Sequence, residues 1–178
     1  MERQQLITIS PAGHPDPRVA HAGFDLEHAY IERCWAPVLG PTSTALLRRL
    51  PALWAEAEPA RMDFGELSRS LGVGTGRGAH SPLSRTMDRL ARYRFARPAA
   101  ADGQWEVFRQ VRPLEAHELR RLPEWSRRMH NELLDRHIAG LTSTTPTAQL
   151  TARLDRIQTR RPPDHRPITT TPSRHIQP

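Results

Sequence analysis

The chain has no lysine. All 26 of its basic residues are arginine, set against 19 acidic ones, for a formal net charge of +7. Without lysine there is no nucleotide-binding loop of the type that ends in Gly-Lys-Ser/Thr, although Gly72, Gly74, Gly76 and Gly78 otherwise invite that reading. A dinucleotide fingerprint fails as well, because a polar helical stretch rather than a buried strand precedes those glycines. Cysteine occurs once, at Cys34, which excludes an internal disulfide framework and a cysteine-cluster zinc site. Beside Trp35 it reads as a buried thiol. Apolar runs of membrane-spanning length are missing, and so is a basic-then-apolar start, so the chain is expected to be cytoplasmic with no membrane partner.

Catalytic patterns are equally scarce. No serine, histidine and acid stand in a recognisable nucleophile motif. His130 and His137, near Glu132 and Asp135, are seven residues apart, too far for the adjacent-turn pairing of a helical metal site. They read as surface polar residues. No enzyme, no cofactor and no metal site are expected. The arginine bias, with abundant Ala, Pro and Gly, suggests a GC-rich genome such as that of an actinobacterium. The basic balance favours a polyanionic partner.

The stretch from Gly72 to Arg97 organises what is present. A glycine-rich loop runs into Ser81-Pro82, a helix start in which serine caps free N–H groups and proline occupies the first position. Leu83, Met87 and Leu90 then recur at helical spacing. The opposite side carries Ser84, Arg85, Asp88, Arg89 and Arg92. From Arg77 to Arg97 six arginines (77, 85, 89, 92, 94, 97) face one acid, Asp88. Such a helix docks one face on a core and offers guanidinium groups to base edges or phosphates.

The flanking pattern is coherent with that helix. Residues 1–23, with Pro11, Pro15 and Pro17, read as a flexible arm. Asp25 to Trp35 reads as a short helix, and 41–58 as a strong amphipathic one with Leu46, Leu47, Leu50, Leu53 and Trp54 inward. Pro51 predicts a kink or break in it. Asp63-Phe-Gly-Glu66 is a capping-box pattern opening a helix from Phe64 to Leu71, which Gly72 stops. After the second helix, 95–97 and 104–109 read as strands of a hairpin. Leu114 to Leu141 is helical again, with Pro123 able to divide it. Trp35, Trp54, Trp105 and Trp125 all lie within amphipathic patterns and are assigned to core packing, Trp105 with the least support. Residues 142–178 carry six arginines against Asp155 and Asp164 and read as a disordered basic Pro/Thr/Arg-rich tail.

The fold class expected is mainly α with a small β-hairpin (α+β). Helix, helix, helix, hairpin is the order of a winged helix-turn-helix, here over residues 24–141 with flanking N- and C-terminal helices. The succession Cys34-Trp35, Pro37-Val-Leu39-Gly-Pro-Thr42, Leu67 to Leu71, His80-Ser-Pro-Leu83 and Arg85 to Phe95 resembles a group of small winged-helix proteins of actinobacteria. That resemblance implies a winged helix-turn-helix fold and DNA binding, with no particular target.

The expected function is sequence-specific binding of double-stranded DNA by a nucleoid-associated transcriptional regulator. Ser84, Arg85, Asp88 and Arg89 are assigned to base edges, and Arg77, Arg92, Arg94 and Arg97 to phosphates. Ser81 joins the DNA-binding set at the head of the helix. The terminal helix is where two copies would pair, giving a homodimer. Two alternatives stand beside this one: a replication, partition or excision factor of a mobile element, and a protein-binding module whose arginine face meets an acidic partner.

Overall fold

The first strand comes from the stretch expected to be an arm. In the computed structural model, which describes residues 6–74 and 80–143, β1 (Leu6–Ala12) lies inside the main sheet. Its Ile7 and Ile9 alternate with polar residues and are buried, which is the period-2 pattern of a half-buried strand. The short helix α1 (Pro17–Ala22) follows, capped by the Asp16 carboxylate, which accepts the Arg18 N–H. Asp25 to Trp35 is not one helix. Phe24 and Asp25 form β2, and Ile31–Trp35 is a π-helical turn running into α2 (Ala36–Leu39).

The amphipathic segment forms α3 (Pro41–Glu56), which continues through Pro51, so of the kink or break expected there the break does not occur. Proline removes one backbone bond there, but Leu46, Leu47, Leu50 and Trp54 are buried on both sides of it, so tertiary packing carries the helix past the defect. Next come β3 (Ala60–Asp63) and α4 (Phe64–Ser70). The Asp63 carboxylate accepts the Glu66 N–H at 3.0 Å, whereas the Glu66 carboxylate pairs with Arg69 at 2.7 Å. Gly72 ends this helix at φ +71°, with Val73 N–H on Ser68 O and Gly72 N–H on Arg69 O.

Helix α5 (Pro82–Arg92) starts where Ser81-Pro82 predicts, and β4 (Ala96–Pro98) and β5 (Gln104–Phe108) form the expected hairpin. A short β6 (Gln110–Val111) then pairs antiparallel with β2. Helices α6 (Ala116–Leu119) and α7 (Glu124–Ser143) close the described chain, separated around Pro123.

The main sheet runs β3-β1-β5-β4. β1 is antiparallel to β3 and parallel to β5, so it stands between β3 and the hairpin and satisfies backbone groups on both. The Trp54 indole donates to Ile9 O at 3.0 Å and ties α3 to that strand. The core over this α+β frame contains Phe24, Tyr30, Trp35, Leu67, Leu83, Met87, Leu90, Phe95 and Val107, all essentially buried. Trp35 packs edge-on against Phe95, and its indole donates to Arg112 O.

Two assignments to the surface and core reverse. His130, expected outside, is buried, with Nδ1 2.5 Å from the Tyr30 hydroxyl, which also accepts the Leu114 N–H. His137 faces inward too, bonded to Ala22 O and close to the Phe24 ring. Trp125, expected in the core, is 49% exposed, because α7 turns Ser126, His130 and Leu133 inward instead. Trp105 is half-buried and Cys34 is buried, its thiol pushed up to about 12 by that burial. The chain separates into a compact unit through Ala139 and a second from Gly140 onward. Of the expected tail only residues 142 and 143 are described, and they continue α7.

Candidate nucleic-acid interface

Helix α5 owes its position to one buried stripe. Leu83, Thr86, Met87 and Leu90 are buried, while Arg85, Asp88, Arg89 and Arg92 are exposed. The start is held by Ser81, whose hydroxyl accepts the Ser84 N–H at 3.1 Å and donates to Ser84 Oγ at 2.8 Å. Ser81 itself is only 2% exposed. In the fold its hydroxyl serves as the helix cap. Ser84 is half-buried and engaged by the same cap. Arg77 lies outside the described residues.

The other end of α5 is unusual. Phe95 N–H bonds Leu90 O and Arg94 N–H bonds Ala91 O, which is the turn that ends α4 as well. There the left-handed position is Gly72; here it is Arg94, at φ +61°. A side chain in that region costs of order 1–2 kcal/mol.

The arginines do not form a single row. Arg85 and Arg89 line a cleft of about 190 Å³ with the start of α3, including Gly40, Thr42 and Ser43. Arg89 is partly committed to the fold, since its Nη1 donates to Leu39 O at 3.1 Å. Arg92 and Arg94 line a second cleft of about 410 Å³, with His14, Asp16, Arg112 and Glu118. Arg97, assigned to phosphates, is 56% exposed and pairs with Glu106 on the neighbouring strand at 2.5 Å, with its guanidinium 5.8 Å from the Phe108 ring centre. Arg109 at the far side of the hairpin is likewise bound, to Glu58 at 2.8 Å, and stacks over Trp54.

Charge in the second cleft is mixed. Arg112 donates from both terminal nitrogens to Glu118, each at 2.8 Å. Burial works against the Glu118 carboxylate, but the Arg112 bonds and the Glu115 N–H outweigh it and hold its pKa low. Burial lowers the His14 imidazole, with Arg112 and Arg94 adding to the effect. A neutral histidine beside Asp16 and Glu118 makes this a less cationic surface than its arginines suggest.

Sequence reasoning missed His14, Arg112 and Glu118, which come from distant stretches that only the β1 and β6 pairings bring together. It also missed the start of α3 as part of the site. There a signal existed: Gly40-Pro41 opens a helix as Ser81-Pro82 does, but without a side chain able to cap it. Among the described residues no helix is long and apolar enough to cross a membrane, and no group of three or more His, Cys, Asp or Glu could hold a metal ion. No family model, no curated protein and no solved structure matches the chain.

Proposed function

We propose that the chain is a sequence-specific duplex DNA-binding protein with a winged helix-turn-helix core, acting at the nucleoid as a regulator of transcription. The observation that carries this reading is α5 itself. It is anchored by Leu83, Met87 and Leu90 and exposes Arg85, Asp88, Arg89 and Arg92. The order around it, α3-β3-α4-α5-β4-β5, gives the reading further support. In it Arg85 and Asp88 meet base edges, with Arg89 beside them through the part of its guanidinium not held by Leu39 O. Arg92 and Arg94 hold phosphates. A bidentate arginine–guanine contact supplies about 1–3 kcal/mol of discrimination. Pairing of two copies through α7 belongs to the same proposal, with the exposed Trp125 as its supporting observation.

The test is fluorescence anisotropy of mixed-sequence duplexes at a series of salt concentrations, for the native chain and for Arg92→Ala and Arg94→Ala. Each variant is expected to weaken binding to all sequences alike and to flatten the salt dependence by about one unit. Absence of duplex binding at low salt, or salt slopes untouched by both substitutions, would overturn the assignment. Sedimentation of the native chain and of Trp125→Ser tests the pairing.

A further inference from the structure

The cleft between α5 and the start of α3 has the attributes of an anion site. Helix α3 is 16 residues long, enough for a full macrodipole, and no acidic residue stands in its first turn. Its cap is Gly40, at φ +79°, which brings no side-chain acceptor. Pro41 has no N–H, and the Thr44 N–H returns to Gly40 O at 3.2 Å. The N–H groups of Thr42 and Ser43 are therefore the helix's unsatisfied donors at the cleft.

The side chains converge on the same space. Ser43 is 3% exposed, lines the cleft, and has no hydrogen-bond partner for its hydroxyl among the described residues. No side-chain polar atom among the described residues is both buried and unpartnered, so this hydroxyl is open to the cleft. Thr86, by contrast, is satisfied by Pro82 O at 2.8 Å. Arg89 is fixed at the rim by its bond to Leu39 O, and its Nη1 stands 3.3 Å from where a Gly40 side chain would begin. A side chain at position 40 would press on that guanidinium, and the φ of +79° favours glycine there. Arg85 is exposed on the same wall and forms no ion pair among the described residues. No acidic residue among the described residues lines this cleft, whereas Asp16, Glu115 and Glu118 line the larger one. Both clefts carry arginines, but of the two only this one is free of carboxylates.

We propose that this cleft binds a phosphate group, held by the Thr42 and Ser43 N–H groups, the Ser43 hydroxyl, Arg85 and Arg89. The group comes either from the backbone of the duplex, in which case the site rests on the DNA-binding reading and turns Arg85 and Arg89 from base edges to a phosphate, or from a free phosphorylated small molecule. The donor set is the same for both: helix N-terminal amides, a hydroxyl and two guanidinium groups around tetrahedral oxygens.

The test uses the full-length chain, labelled with ¹⁵N, and inorganic phosphate as the probe, with chloride balancing ionic strength. Phosphate is expected to shift the Thr42 and Ser43 amide signals saturably. Arg85→Gln, on an exposed side chain that leaves the fold intact, is expected to weaken that binding about tenfold. Ser43→Ala is expected to weaken it as well, and the spectrum of each variant reports whether it is folded. Duplex DNA is then added to the phosphate-loaded protein. Displacement of phosphate at these two amides identifies the DNA backbone as the source, and duplex binding that leaves phosphate in position identifies a free ligand. Phosphate binding in a chain that ignores duplex DNA would retain the site and remove the DNA reading. Amide signals unmoved by phosphate in the folded native chain, or affinity unchanged in both variants, would overturn the site whether or not DNA binds.

Discussion

The junction of β6 with α6 and the outer face of α5 use arginine in opposite ways. Arg112 is enclosed: Glu118 takes both terminal nitrogens, the Trp35 ring lies 4.9 Å away, and the side chain is only 20% exposed. Arg85 and Arg92 are exposed and have no ion pair among the described residues. A guanidinium with a carboxylate on one edge and an indole under its face contributes to the fold and has little left for an outside partner. One held only by its helix contributes little to stability and keeps its five donors available. Arg97 stands between the two, paired with Glu106 yet 56% exposed. The high arginine content therefore does not measure the interface, because the partners of each residue decide what it does.

Removing the enclosed arginine should have the largest effect. Arg112→Ala leaves the buried Glu118 without its partner and should lower the unfolding free energy by about 3–5 kcal/mol, read by urea denaturation. The exposed counterpart should behave in reverse. Arg85→Ala should change stability by no more than about 0.5 kcal/mol, while reducing discrimination between the preferred duplex and a mutated one by about 1–3 kcal/mol. If both variants lost stability equally, the contrast would fail.

Arg94 sharpens the comparison because it is exposed and strained together. Arg94→Gly should raise stability by about 1 kcal/mol by relieving the left-handed backbone, and weaken duplex binding in the same protein. Gain in stability with unchanged binding would show the strain to be incidental to recognition.

The smallest effect is set by pH. His14, His28 and His130 all have lowered pKa values, with burial the leading cause in each. The folded state thus disfavours their protonation. Their contribution is complete above the ordinary value of 6.5 and is lost as pH falls below it. His130 has a specific reason, since protonation would put a second donor on the Tyr30 hydroxyl, which already accepts the Leu114 N–H. Thermal midpoints should fall between about pH 6.5 and 5, and less steeply in His130→Gln.

Much of this was legible before any coordinates. Capping serines and aspartates, Gly72 and the Leu83-Met87-Leu90 stripe act locally, so α4, α5 and the hairpin fall where their residues predict. β1 was hidden by its neighbours. Leu-Ile-Thr-Ile alternates as a strand should, but Pro11, Pro15 and Pro17 crowd the stretch, and its partners are about 50 and 100 residues away. The inward faces of His130 and His137 depend on which side of α7 meets the Phe24–Tyr30 stack, a choice made by tertiary packing. The site divided in the same way. The exposed arginines of α5 follow from helical spacing. Their separation into two clefts and the pairing of Arg97 with Glu106 depend on elements joined only in the folded chain.

The most direct test of the central claim is selection from a pool of randomised duplexes at two salt concentrations, followed by sequencing of what the protein retains. Enrichment of one motif that survives the higher salt, and that blurs with Arg85→Ala, is the predicted result. Uniform retention that disappears as salt rises would mean only counterion release by scattered arginines, and would contradict a sequence-reading role for α5.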